Sequence, residues 1–100
     1  MYGSASAIQG EDRVVAAKVE IYTKWGCGFC VRAKALLEAK GVAFEEYDIT
    51  MGGPRRAEMF ERVPGAATVP QILIAGEAVG GCDELHALER AGKLDSMLGR

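Results

Sequence analysis

Apolar residues recur along this chain with two different periods, and the change from one to the other marks the elements. Val19-Glu20-Ile21-Tyr22-Thr23 alternates and is rich in β-branched and aromatic residues, which predicts a strand over Lys18 to Thr23. From Gly28 to Lys40 the spacing is helical: Ala33, Leu36, Leu37 and Lys40 form one stripe, Lys40 burying its stem with its charge in water, and Gly41 supplies the stop. Ala43 to Asp48 reads as a second strand. Met51-Gly52-Gly53 is a turn, and Pro54 suits the first position of a helix running to about Val63, broken by Pro64-Gly65. The apolar run Gln71 to Ala75 predicts a buried strand, Gly76-Glu77 a tight turn, and Ala78 to Gly80 a short returning strand. Asp83 is expected to cap a helix reaching Ala91 and closed by Gly92, with a further helical turn over Leu94 to Leu98. The order β-α-β-α-β-β-α predicts an α/β fold: a four-stranded mixed sheet flanked by three or more helices.

With 100 residues, the chain has the length of one domain with one modest core. Residues 18–100 are expected to form it, and residues 1–17, small and polar at their start, to be a disordered leader or an appended remnant. A net charge of −2 offers no electrostatic reason to expect nucleic acid or an anionic membrane as partner. No apolar stretch approaches the roughly 20 residues of a membrane span, and no compact apolar core of a signal peptide stands at the N-terminus. Three cysteines do not make the framework of a disulfide-rich secreted domain, so a reducing cytoplasm is the expected compartment.

Two of those cysteines carry the chemistry. Cys27-Gly28-Phe29-Cys30 stands where strand gives way to helix, and a C-x-x-C in that context reads as a redox dithiol. Unpaired N–H groups at the helix start, with Lys24 nearby, favour a thiolate on Cys27. Cys30, one turn further in, would resolve a mixed disulfide on Cys27. The competing use of these residues is structural zinc, held by Cys27, Cys30, Cys82 and His86. A domain with apolar strands and helices enough for its own core has little need of such a site, which leaves His86 as a surface helix residue. Thr68-Val69-Pro70 reads by itself equally well as an ordinary turn before a strand and as a backbone edge that pairs with a ligand. Gly80-Gly81-Cys82-Asp83 lets backbone approach a ligand closely and presents helix N–H groups to a carboxylate.

These segments together resemble the glutaredoxins, bacterial dithiol members above all. The resemblance lies in Tyr22-Thr23-Lys24 before the dithiol, the dithiol itself, Thr68-Val69-Pro70 and Gly80-Gly81-Cys82-Asp83, and covers roughly residues 18 to 98. It implies a thioredoxin-like fold and a glutathione-dependent thiol–disulfide oxidoreductase acting on protein–glutathione mixed disulfides and protein disulfides. It implies that Pro70 follows a cis bond, and that the Val69 main chain pairs with the cysteine portion of glutathione. By the same resemblance Lys24 attracts the glycine carboxylate and Asp83 receives the α-amino group of the γ-glutamyl end; Arg55 and Arg56, at the start of the middle helix, are either further carboxylate partners or plain surface charge. Phe29, Thr68, Gly81 and Cys82 are expected to complete the glutathione site, Cys82 without a catalytic role, and exposed Trp25 to help substrates dock. The expected partners are glutathione and disulfide-containing proteins, for a monomer. One departure stands out: Gly28 and Phe29 occupy positions where most dithiol glutaredoxins have proline and tyrosine. In the family a glycine there accompanies some members that bridge a [2Fe-2S] cluster with glutathione, for which Cys27 would be the ligand.

Overall fold

The computed structural model describes residues 17–99, so the expected leader lies outside the described residues except for Ala17. The elements are β1 (Val19–Thr23), α1 (Gly28–Ala39), β2 (Glu45–Asp48), α2 (Pro54–Arg62), β3 (Gln71–Ile74), β4 (Glu77–Gly80), α3 (Cys82–Arg90) and α4 (Leu94–Met97). They form one sheet in the order β2-β1-β3-β4, with β1 parallel to β2 and β3 antiparallel to both β1 and β4. The expected order and mixed sheet are both present. Among the described residues no helix is long and apolar enough to cross a membrane.

Helices cover both faces of the sheet, which explains why every residue of β1 is buried in spite of its alternation. Val19 and Ile21 of β1, with Ile72 and Ile74 of β3, face Ala33 and Leu37 of α1, Leu85 of α3, and Leu94 and Leu98. On the opposite face Tyr22, Tyr47 and Leu73 pack with Ile49 and with Met59 of α2. That face also buries a carboxylate. Glu20 takes a paired contact from the Arg62 guanidinium, at 2.8 and 2.9 Å, and a 2.7 Å hydrogen bond from the Tyr47 hydroxyl. These partners hold the Glu20 carboxyl at about 2, well below the usual range, against the opposing effect of burial.

Three local expectations need correcting. The tight turn is Ala75-Gly76, not Gly76-Glu77. Both residues have positive φ (54° and 82°), as a two-residue turn matched to strand twist requires, so β4 begins at Glu77. The cap of α3 is Gly81, not Asp83, which sits in the first turn; Glu84 reaches back to accept the Gly81 N–H at 2.8 Å. The Lys40 ammonium is paired rather than merely wet: it meets Glu89 of α3 at 2.8 Å and Asp95 of α4 at 2.9 Å, clasping three helices together.

Candidate functional site

The dithiol stands at the C-terminal end of β1, where the strand runs through an exposed loop into α1. One contact anchors this loop to its neighbour, the Trp25 backbone N–H donating to Thr50 Oγ1 at 2.7 Å, and Thr50 is itself held in place by its N–H donating to Asp48 Oδ1 at 2.8 Å. Trp25 itself is 86% exposed, as expected. Cys27 is the N-cap of α1, with extended backbone, and its Sγ accepts the Cys30 N–H at 3.1 Å. A cysteine sulfur here does what a serine or aspartate oxygen does at other helix starts. Gly28 is the first helical residue, and a methyl group there would meet nothing within 4 Å.

The two sulfurs differ in depth. Cys27 is half-buried and its thiol lies 3.8 Å from the Val69 carbonyl oxygen, whereas Cys30 is 2% exposed. Burial, followed by the hydrogen bond with Cys27, pushes the Cys30 thiol up to about 12. Lys34, one turn beyond Cys30, opposes this, but its ammonium is paired with Glu46 at 2.9 Å, and Glu46 also accepts the Thr23 hydroxyl at 2.7 Å. An outer thiol backed by a protonated inner one is the arrangement a stepwise disulfide exchange needs.

Facing Cys27, the loop before β3 carries Thr68-Val69-Pro70, and the Val69–Pro70 bond is cis. The Gln71 side chain donates to the Thr68 carbonyl at 2.9 Å and fixes the loop. The Val69 N–H has no hydrogen-bond partner among the described residues, so its edge is open to an extended ligand. A groove of about 330 Å³ runs beside it, lined by Phe29, Thr68, Val69, Pro70, Gly81, Cys82, Asp83 and Glu84. The two glycines leave room for neighbouring protein atoms. Gly80 has φ of 111°, and a Cβ on it would come within 2.9 Å of the Glu84 Cβ; on Gly81 it would press the Pro70 carbonyl at 3.2 Å. Beyond them the first N–H groups of α3, on Cys82 and Asp83, have no intrahelical partner.

Seven of the expected binding residues therefore gather at one groove. Lys24 stands at its other end, in a small cleft shared with Arg56, Thr68 and Val69. Arg55 is not there: it is held by Glu58 at 3.0 Å and lies over the Tyr47 ring, so the adjacent arginines have separate duties. Cys82 is buried, not semi-buried, and burial raises its thiol. His86 is half-buried rather than a plain surface residue, its Nδ1 2.9 Å from the Cys82 carbonyl and 3.5 Å from its sulfur. No group of three or more histidine, cysteine or acidic side chains is gathered as a metal would require among the described residues. Sequence reasoning missed Glu84, although its three-residue spacing from Gly81 is a capping signal.

The glutaredoxin family profile matches residues 19–79. This chain belongs to the glutaredoxin family. It is 52% identical over 82 residues to glutaredoxin 3 of Escherichia coli K12, covering 82% of this chain and 98% of that one. The solution structure of a glutaredoxin from Brucella melitensis superposes with a TM-score of 0.72 at 54% identity, over 84% of this chain and 90% of the other. The crystal structure of a buckwheat glutaredoxin–glutathione complex gives 0.73 at 28% identity, over 82% and 76%. This glutaredoxin thus has the thioredoxin-like fold of its relatives, and the family is one of thiol–disulfide oxidoreductases.

Proposed function

We propose that this glutaredoxin is a glutathione-dependent oxidoreductase that reduces protein–glutathione mixed disulfides and protein disulfides through Cys27 and Cys30, in a reducing compartment such as the cytoplasm. One observation carries the reading: the single accessible sulfur of the dithiol opens beside Val69, whose backbone N–H has no partner among the described residues, at the rim of a groove of tripeptide size. In that groove the Val69 main chain pairs with the cysteine portion of glutathione, and the Lys24 and Arg56 cations receive the glycine carboxylate. The α3 start and Asp83 receive the γ-glutamyl end, while Phe29, Thr68, Pro70, Gly81 and Cys82 form the walls. That a buckwheat relative forms a complex with glutathione supports glutathione as the ligand.

The chemistry runs in two branches. Cys27 thiolate attacks the glutathione sulfur of a mixed disulfide and displaces the protein thiolate, which takes a proton. A second glutathione thiolate then attacks the glutathione sulfur on Cys27, freeing Cys27 and leaving as oxidised glutathione. With a protein disulfide, Cys27 attacks one sulfur, and Cys30 attacks the Cys27 sulfur of the resulting mixed disulfide. This releases the reduced protein and leaves a Cys27–Cys30 disulfide that two glutathiones reduce. Glutaredoxin potentials of about −200 to −230 mV suit the glutathione pool as the source of electrons.

The described residues fit a [2Fe-2S] cluster only with one ligand per chain, since Cys30 and Cys82 are buried and Cys27 alone is accessible. Such a cluster would need a second chain and glutathione as well. Iron–sulfur absorbance in anaerobically purified protein would favour that reading.

The deciding experiment is a glutathione-coupled assay of cysteine variants. Cys27→Ser abolishes all exchange. Cys30→Ser keeps deglutathionylation and loses reduction of protein disulfides that need a resolving thiol. Equal residual deglutathionylation in both variants would contradict the assignment.

A further inference from the structure

We infer that Arg32 is a specificity residue that binds the α-carboxylate at the γ-glutamyl end of glutathione. The inference rests on the glutathione reading above and assigns a part of that ligand to a side chain outside the groove lining. The γ-glutamyl end is a zwitterion, with one ammonium and one carboxylate on the same carbon. The groove wall that would receive it carries two carboxylates, Asp83 and Glu84, in the first turn of α3. They suit the ammonium and repel the ligand carboxylate. Helix N–H groups and the helix dipole offset that repulsion in part, and screening weakens all of these terms at an exposed site.

A cation stands behind the other wall. Arg32 lies three residues after Phe29 on α1, on the same side of the helix, and its guanidinium carbon is 5.8 Å from the centre of the Phe29 ring that lines the groove. Its charge also acts on the Cys82 thiol, opposing the effect of burial. Arg55, Arg62, Lys34 and Lys40 are each engaged by carboxylates; Arg32 has no such partner among the described residues. A guanidinium resting on an aromatic wall, with its donors uncommitted, suits a planar carboxylate. With Arg32 beside Phe29 and the two acidic residues on α3, the groove offers charges of both signs to a ligand carrying one of each.

The test compares two reductants in the same assay: glutathione, and an analogue in which 4-aminobutanoate replaces the γ-glutamyl group, so that the α-carboxylate is missing. Glutamine is a good helix former, so Arg32→Gln on an exposed helix face leaves the fold intact. It should raise the KM for glutathione about fivefold, the size of an exposed charge pair. The KM for the analogue should stay within about twofold. Arg32→Lys should recover part of the difference. An unchanged KM for glutathione, or an equal rise for both reductants, overturns the inference. Failure of the wild type to turn over glutathione at all would instead overturn the glutathione reading itself.

Discussion

Three residues apart in sequence, Cys27 and Cys30 are made unlike chiefly by depth. The inner thiol is held protonated chiefly by burial, and burial persists when Cys27 is engaged in a disulfide and its hydrogen bond is gone. The resolving step is therefore limited by the small fraction of Cys30 thiolate. Below a raised pKa that fraction grows about tenfold per pH unit. We expect the release of reduced protein from a preformed mixed disulfide on Cys27 to accelerate throughout the range from about pH 6 to pH 9. Stopped-flow measurement on such an adduct checks this, and a plateau near neutrality would mean that Cys30 ionises far more readily than its burial dictates. The sequence showed which cysteine comes first on the helix. It could not show that Lys34, the one cation a turn beyond Cys30, is already taken by Glu46, because that pairing joins α1 to β2.

At the scale of elements, the β3–β4 hairpin holds the clearest local conflict between residue and backbone. Ala75 is the one described non-glycine residue with positive φ, in a turn that favours asparagine followed by glycine. An alanine in that region costs about 1 kcal/mol. Ala75→Asn should raise stability by about 0.5–1 kcal/mol, seen as a higher midpoint of thermal unfolding with no change in the glutathione assay. A lower midpoint would show that the Ala75 methyl does more than tolerate its position. The turn was misread by one residue because alanine carries no turn signal; only the pairing of Ile74 with Glu77 reveals where the strands separate. The α3 cap went astray for a related reason: Asp83 is the better capping residue by type, but backbone approach to Pro70 reserves the position before Cys82 for a glycine. Elsewhere the elements were legible to within two residues, since helical and alternating stripes both had a buried face to fill.

For the whole molecule, the buried Glu20–Arg62 pair is the feature no local pattern announces. It ties β1 to α2 across 42 positions, and Tyr47 adds β2 to the same carboxylate. Glu20 in the folded protein titrates at about 2, below its unfolded value, so the unfolded chain binds more protons in between. The stability this group contributes is complete above about pH 4.5 and is lost as the pH falls toward about 2. Arg62→Leu strands the carboxylate and should cost roughly 3 kcal/mol at neutral pH, with acid unfolding moved to higher pH. Denaturant titrations at several pH values measure both, and an unchanged acid midpoint would remove Arg62 as the cause.

The Ala17 N–H donates to the Leu98 carbonyl at 3.1 Å, so residues far apart in the chain sit side by side at one edge of the fold. Seen as connectivity, the domain is nearly a closed ring, and the order in which its elements are translated is separable from the order in which they pack. A circular permutant follows: residues 98 and 17 joined through a short glycine–serine linker, and the ring opened at the exposed Pro64-Gly65 turn between α2 and β3. Neither the dithiol loop nor the Thr68-Val69-Pro70 segment is cut. The permutant should give the same circular dichroism as the parent and reduce the same mixed disulfide. A chain that folds only with its original ends would mean that α2 must be linked directly to β3 for the sheet to assemble.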